Sequence, residues 1–324
     1  MPSRPVPATA VVRSAAHDLR AAGVDSAVVE AQLICAHVLG ITRSALPLAD
    51  AVDASGLAEI DRLVAARIAD RTPIQYLLGR AVSGRLDLAV GPGVFIPRPE
   101  TELLVEDTLA ALPAPGDGPG PVVVDLCAGS GTLALEIAHA RPDARVHAVE
   151  LHDQALEWLR RNAAERAAAG DTPLMVHSGD ATDPGILPGL RGRVDAVVSN
   201  PPYIPRTDDL PAEVLGHEPA TALFGGADGL AVITPLVGVA AGLLAPGGHL
   251  AVEHDEETGA AVAAVVEAQG CFGTVEQHTD LAGRPRFVTA TRLDDHDSDR
   301  DDDPDGDPDN DDELDPTVRK GTTR

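Results

Sequence analysis

Two short runs in this chain have residue types and spacing from which chemistry can be read. The first, Asp125-Leu126-Cys127-Ala128-Gly129-Ser130-Gly131, closes an apolar stretch and opens straight into a helical pattern. Gly129 and Gly131 let backbone approach a ligand closely, and the start of the following helix offers N–H groups with no partner of their own. Residues 129–134 also fit the relaxed dinucleotide pattern G-x-G-x-x-[GA], and Glu150 ends the next apolar run, where a ribose-binding acid belongs. A loop of this kind holds a nucleotide-like ligand, and NAD and S-adenosylmethionine both fit it, against the bland alternative of a tight packing turn. Asp125 shifts the choice, because a carboxylate inside the loop attracts a sulfonium or ammonium and repels a pyrophosphate.

The second run, Ser199-Asn200-Pro201-Pro202-Tyr203, follows another apolar stretch. Two consecutive prolines hold a rigid extended bend that fixes Asn200 and Tyr203 relative to the end of the strand. An amide at a strand tip beside a locked turn and an exposed ring makes a clamp for a planar amide or a base.

These residues need elements to position them. Strand patterns over 122–126, 145–150, 174–177, 194–199 and 249–253 alternate with helical patterns from Thr132, from Asp153, over 230–244 and up to Ala268, and two closing strands are expected over 271–276 and 286–291. Such alternation predicts an α/β fold, a mostly parallel sheet covered by helices on both faces, with ligands at the carboxyl ends of the strands. Upstream, residues 9–80 read as helical. Asp25 is expected to cap a helix with Val28, Ala31, Cys35 and Val38 on one face, Gly40 stops it, and Leu57, Ile60, Val64 and Ile68 mark another before Thr72-Pro73. From 81 to 99 the pattern alternates, with Leu86, Leu88 and Val90 on one face and Gly91-Pro92-Gly93 as a turn, as expected of a β-hairpin linker.

Composition limits the function. The chain has 324 residues, 44% hydrophobic and only 2% aromatic, so its core is packed with Ala, Val and Leu. Residues 294–324 hold fourteen acidic side chains against four basic ones, a net −10 out of −26, which leaves −16 for the body. That segment has no apolar face to bury and is expected to be a disordered tail. An acidic body disfavours indiscriminate nucleic-acid binding. The longest apolar stretch, 231–245, is interrupted by Thr234 and Pro235 and is too short for a bilayer span of roughly 20 residues. Residues 1–10 contain no apolar leader segment, so a cytoplasmic location is expected. Cys35, Cys127 and Cys271 match neither a metal knuckle nor a disulfide framework, and no metal site is expected.

The Asn-Pro-Pro-Tyr run and the Asp125 loop together resemble the class I S-adenosylmethionine-dependent methyltransferases that act on planar amide or exocyclic amino nitrogens. Three further stretches narrow the resemblance: Arg71-Thr72-Pro73-Ile74-Gln75-Tyr76-Leu77-Leu78-Gly79, Phe95-Ile96-Pro97-Arg98-Pro99-Glu100-Thr101-Glu102, and Glu218-Pro219 with Leu223-Phe224-Gly225-Gly226-Ala227-Asp228-Gly229-Leu230. With them, residues 10–292 look like the HemK/PrmC family of protein-glutamine methyltransferases. The resemblance implies a seven-stranded Rossmann-like domain, S-adenosylmethionine as cofactor, and as partner a class 1 peptide chain release factor methylated at the glutamine of its Gly-Gly-Gln loop. It implies an N-terminal helical substrate-docking domain over 1–80, the hairpin linker over 81–99 and a catalytic domain over 100–293, followed by the tail.

By the same resemblance Asn200, Pro201, Pro202 and Tyr203 hold the glutamine amide. The cofactor falls to Asp125, Cys127, Ala128, Gly129, Ser130, Gly131, Glu150, Asp180 and Phe95, with Asn200 shared. Asp180 can equally be a turn residue, and Thr101 a first-turn residue of the next helix. The sequence departs from the family pattern in two places: Cys127-Ala128-Gly129 stands where Gly-Thr-Gly is usual, and Glu253-His254-Asp255-Glu256-Glu257-Thr258 keeps only the Glu of a Glu-x-Gly-x-x-Gln run. Two other readings are a nucleic-acid amino methyltransferase, which needs a basic, aromatic-bearing channel, and a non-catalytic relative, which needs a degraded clamp or loop.

Overall fold

The computed structural model describes residues 5–294 apart from Asp117 and Asp208. The acidic segment beyond Asp294 lies outside the described residues.

Apolar residues at three- and four-residue spacing build the N-terminal helices. Helix α1 (Ala8–Ala21) buries Val11, Ala15 and Leu19, α2 (Ala27–Leu39) buries Ala31, Ile34 and Cys35, and α3 (Ala54–Ala69) buries Ile60 and Val64 against them. A two-residue ribbon, β1 (Val6–Pro7) with β2 (Ala51–Val52), closes this unit. Asp53 caps α3 by accepting the Gly56 N–H at 2.8 Å. Asp25 does not cap α2. Ser26 stands at that position, and its hydroxyl donates to Glu30 Oε1, one turn into the helix. Glu30 is held there by a buried, bidentate pair with Arg67 of α3.

After α4 (Ile74–Leu78) come the hairpin strands β3 (Arg80–Ser83) and β4 (Leu86–Ala89). The expected turn at Gly91-Pro92-Gly93 is not the reversal of this hairpin. Ser83 pairs with Leu86, so the chain turns at Gly84-Arg85, where Gly84 supplies φ +50°. The 91–93 stretch follows β4 and delivers Gly93 to the site described below.

The remaining elements alternate: α5 (Thr101–Ala111), β5 (Val122–Leu126), α6 (Thr132–Ala140), β6 (Arg145–Glu150), α7 (Asp153–Ala168), β7 (Met175–Ser178), β8 (Val194–Ser199), α8 (Ala212–His217), α9 (Ala220–Leu223), α10 (Ile233–Leu243), β9 (Leu244–Glu253), α11 (Gly259–Glu267), β10 (Glu276–Thr279) and β11 (Pro285–Thr291). Seven strands form one sheet in the order β10-β11-β9-β8-β5-β6-β7, all running the same way except β11, which is antiparallel to both of its neighbours. The penultimate strand begins at Glu276, where the expected 271–276 strand ends; upstream of it Phe272 makes only an isolated bridge to Arg292.

The sheet is buried on both faces, so β5 reads as five successive buried residues rather than an alternation. Val124, Leu126, Val197 and Leu250 pack on α10 and α11. Val123, Ala148 and Val198 pack on the other side with α5, α6 and α7. Strand order reverses at β5, which pairs β6 on one side and β8 on the other. That reversal opens the crevice where ligands of open α/β sheets bind, and both chemically equipped runs leave the sheet there.

Candidate active site

The Asp125 loop wraps one wall of a cavity of about 290 Å³, close to the lower end of small-molecule pockets (roughly 300–1,000 Å³). Cys127, Ala128, Gly129 and Ser130 line it, with Asp125, Glu150, Asp180, Asn200, Pro202 and Phe95. Gly131 is not among the lining residues. It sits behind the loop at φ +90°, its N–H donating to Ala128 O, and a Cβ there would meet Leu159 Cδ1 at 2.6 Å.

Glu150 closes the loop. Its carboxylate accepts the Gly129 N–H and the His152 N–H, each at 2.8 Å, while lone pairs remain for a ligand in the cavity. Asp180 both lines the cavity and closes its own turn by accepting from Thr182 N and Oγ1, so the two readings of that residue coexist. Asp125 is fully buried; Oδ2 accepts the Ala134 N–H at 3.1 Å, and Oδ1 has no partner in the protein. Burial, with a smaller push from the Glu150 charge, holds this carboxyl well above the usual carboxylate range. Burial likewise pushes the Cys127 thiol up, which makes it an inert packing group rather than a nucleophile.

A second cavity, of about 170 Å³, adjoins the first and shares Phe95, Asn200 and Ala222 with it. Apart from Asn200, Arg98 and the Tyr203 hydroxyl, its walls are apolar: Ile204, Leu210, Val214 and Leu223. Tyr203 lines this second cavity and not the first, and Pro201 is buried beneath the turn. The Tyr203 hydroxyl donates to Glu253 Oε1 at 3.1 Å; Glu253 Oε2 accepts from Thr101 Oγ1 at 2.8 Å, and Asn200 Nδ2 donates to Thr101 Oγ1 at 3.2 Å.

The segments that flank the clamp are fixed by backbone contact. Gly225 lies where a Cβ would come within 2.5 Å of the Pro202 carbonyl, and Gly229 where one would meet the Tyr203 carbonyl at 2.3 Å. Only glycine lets this loop lie directly on the Pro202-Tyr203 backbone. Glu218, buried, accepts from the Ile96 N–H and from Arg98, which stacks over Phe95 at 4.7 Å. Tyr76 donates to the Val94 carbonyl and so ties α4 to the same wall. The quoted motifs 71–79, 95–102 and 223–230 thus converge on one wall.

Sequence reasoning missed Glu253 as a member of this site, although the residue was noted in the departing run at the end of β9. It missed Asn162 too, which donates to the carbonyls of Ala89 and Ser130 and accepts the Ala89 N–H, joining the hairpin to the cavity loop. A helical Asn twelve residues past Glu150 carries no local signal of that role.

A family model of PrmC N-terminal domains matches residues 10–79, and one of the methyltransferase small domain matches 99–214. A release factor glutamine methyltransferase of Mycolicibacterium smegmatis is 50% identical over 282 residues, 87% of this chain and 96% of that protein. The chain belongs to the release factor glutamine methyltransferases. The member from Corynebacterium glutamicum is 46% identical, over 87% of this chain and 98% of its own length. A solved release-factor-specific protein-(glutamine-N5) methyltransferase from Alicyclobacillus acidocaldarius is 29% identical, covering 63% of this chain and 99% of that one, with a TM-score of 0.37. The fold is that of a class I methyltransferase, and no helix among the described residues is long and apolar enough to cross a membrane.

Proposed function

We infer that this enzyme transfers the methyl group of S-adenosylmethionine to the side-chain amide nitrogen of the glutamine in the Gly-Gly-Gln loop of class 1 peptide chain release factors. One observation carries the reading: Asn200 and Phe95 stand on the boundary between two adjoining cavities, one suited to a nucleotide-like donor and one to an uncharged side chain. The orphaned Oδ1 of Asp125, a residue that lines the cavity, supports the cofactor: a cationic donor such as the α-amino group of S-adenosylmethionine would give it a partner and favour the ionised form that burial alone disfavours. When bound, S-adenosylmethionine supplies an electrophilic methyl group on a sulfonium centre. Backbone of 127–130 takes its methionine end, Glu150 its ribose hydroxyls, Asp180 the region of the adenine, and Phe95 walls the pocket.

An amide nitrogen is a poor nucleophile, since its lone pair is delocalised into the carbonyl. Asn200 Oδ1 and a main-chain carbonyl of the Pro201-Pro202 turn accept its two N–H bonds and turn the lone pair toward the methyl carbon. Tyr203 packs on the planar amide. The N–C bond would form as the S–C bond breaks, and the methylated nitrogen, then strongly acidic, would give up its proton to solvent. Orientation does the work of a base.

The helical unit of residues 1–80 serves as the docking surface for the folded factor, the 81–99 hairpin as linker and 100–293 as catalytic domain. A substrate that acts in translation makes the cytoplasm the working compartment.

Mass spectrometry of release factor incubated with enzyme and S-adenosylmethionine tests the reading. Asn200→Ala is expected to lower turnover at least a hundredfold, about 3 kcal/mol of barrier, with cofactor affinity by calorimetry nearly unchanged. Methylation of DNA or RNA adenine with release factor untouched would overturn it.

A further inference from the structure

The Asn200 amide can act as an acceptor toward substrate only if it is turned the right way round, and nothing in the Asn-Pro-Pro-Tyr run itself dictates that orientation. Thr101, the first residue of α5, reaches Asn200 Nδ2 at 3.2 Å and Glu253 Oε2 at 2.8 Å. Glu253 closes β9, the strand beside β8, where Ser199 pairs with Val252, so the sheet register itself sets the carboxylate next to the clamp.

We propose that Glu253 is a positioning residue which, through the single proton of the Thr101 hydroxyl, fixes the Asn200 amide with Oδ1 toward the substrate. The argument is one of proton count. A carboxylate only accepts, so the Thr101 hydroxyl must donate to it. Toward Asn200 the same hydroxyl then has only lone pairs, which take an Nδ2–H and leave Oδ1 on the opposite side. Tyr203, donating to Glu253 Oε1 at 3.1 Å, holds the carboxylate in place from the far side of the clamp.

Protonation of Glu253 reverses the chain. The carboxyl then donates to Thr101 Oγ1, the freed hydroxyl proton points to Asn200, and the amide turns to present Nδ2, a donor that opposes the substrate N–H. Arg286 of β11 favours the ionised form and Glu100, just ahead of α5, opposes it, while the phenol of Tyr203 faces the same carboxyl. Burial outweighs the hydrogen bonds and Arg286, pushing Glu253 up to about 7, so the reversal falls in a measurable range. His254, the next residue, turns Nδ1 to the Asp255 carbonyl, and burial lowers its pKa, favouring the neutral ring.

This inference rests on the methyl-transfer reading above. Its test is single-turnover methylation of release factor from pH 6 to 8.5 by wild type, Glu253→Gln, Thr101→Val and Thr101→Ser, with S-adenosylmethionine affinity and melting temperature measured for each. The wild-type rate is expected to fall tenfold per pH unit below about 7. Glu253→Gln and Thr101→Val are expected to run flat with pH, about tenfold below the wild-type plateau, with cofactor Kd within twofold; Thr101→Ser restores both rate and acid limb. A flat wild-type profile, or a Glu253→Gln profile that keeps the wild-type plateau and acid limb, overturns the proposal. A wild-type enzyme that binds S-adenosylmethionine but leaves release factor unmethylated at every pH overturns the reading of function, and this inference with it.

Discussion

Glu150 does two jobs with one carboxylate. Both its oxygens hold backbone N–H groups of the cavity loop, and their remaining lone pairs face the cavity. Removing it therefore loosens the loop as well as losing the acceptor proposed for the ribose. Glu150→Ala is expected to weaken S-adenosylmethionine by about 2 kcal/mol, near thirtyfold, read by calorimetry. Cys127 shows the opposite economy: at φ +67° a side chain is strained, and the thiol packs against the core without entering the chemistry.

Helix α7 and the hairpin meet the catalytic loop through Asn162, which is 1% exposed and makes three hydrogen bonds to backbone. Asn162→Leu leaves the Ala89 N–H and the carbonyls of Ala89 and Ser130 unpaired. A loss of about 3 kcal/mol is expected, a Tm lower by roughly 6–12 °C, together with weaker cofactor binding because Ser130 is released. Helix α6 buries Glu136 behind the hairpin, where burial and the charge of Glu102 raise its carboxyl to about 6. A raised carboxyl is bound to more proton in the folded state than in the unfolded one. Its penalty is absent below the ordinary value near 4.5 and complete above about 6, on the order of 2 kcal/mol. Glu136→Gln should accordingly raise Tm at pH 8, and the gain should vanish at pH 4, as thermal melts across that range will read.

Across the molecule, the helical unit is coupled by charge to the helix beside the second cavity. Arg67, buried in α3, pairs with Glu30 and also donates to Glu213 of α8 at 2.9 Å; Arg71 lies 3.6 Å from the same carboxylate. Val214, the next residue, lines the second cavity. Because Glu30 keeps Arg67 paired, Glu213→Ala removes the tie without stranding the buried guanidinium. The expected result is a KM for release factor raised about fivefold with the Kd of S-adenosylmethionine unchanged, measured by steady-state methylation and calorimetry.

Local sequence was sufficient wherever the information is periodic or covalently stiff. The helix face of α3, the apolar runs of β5, β6 and β8, the glycine loop after Asp125 and the double proline after Asn200 each report their own conformation within a few residues. The face of α2 was only partly legible: Ala31 and Cys35 are buried as expected, but Val28 is 44% exposed and Glu30, paired with Arg67, is buried in that helix instead. Where neighbours in space decide, the reading failed or fell silent. The chain does turn at Gly91-Pro92-Gly93, but the hairpin itself reverses at Gly84-Arg85; both are competent turns, and only the Ser83 to Leu86 pairing decides which one joins β3 to β4. The expected cap at Asp25 gives way to Ser26, whose hydroxyl binds Glu30, a residue held from 37 positions away by Arg67. The Asn200 clamp was legible as a motif; its bonds to Thr101 and, beyond it, Glu253 were not, since they join residues separated by 99 and 152 positions that meet only when β8, β9 and the start of α5 are packed together. Sequence alone picked out many of the groups that line the two cavities. Tertiary structure decided which way they face, because hydrogen-bond direction depends on partners that the sheet order, and not the chain, places side by side.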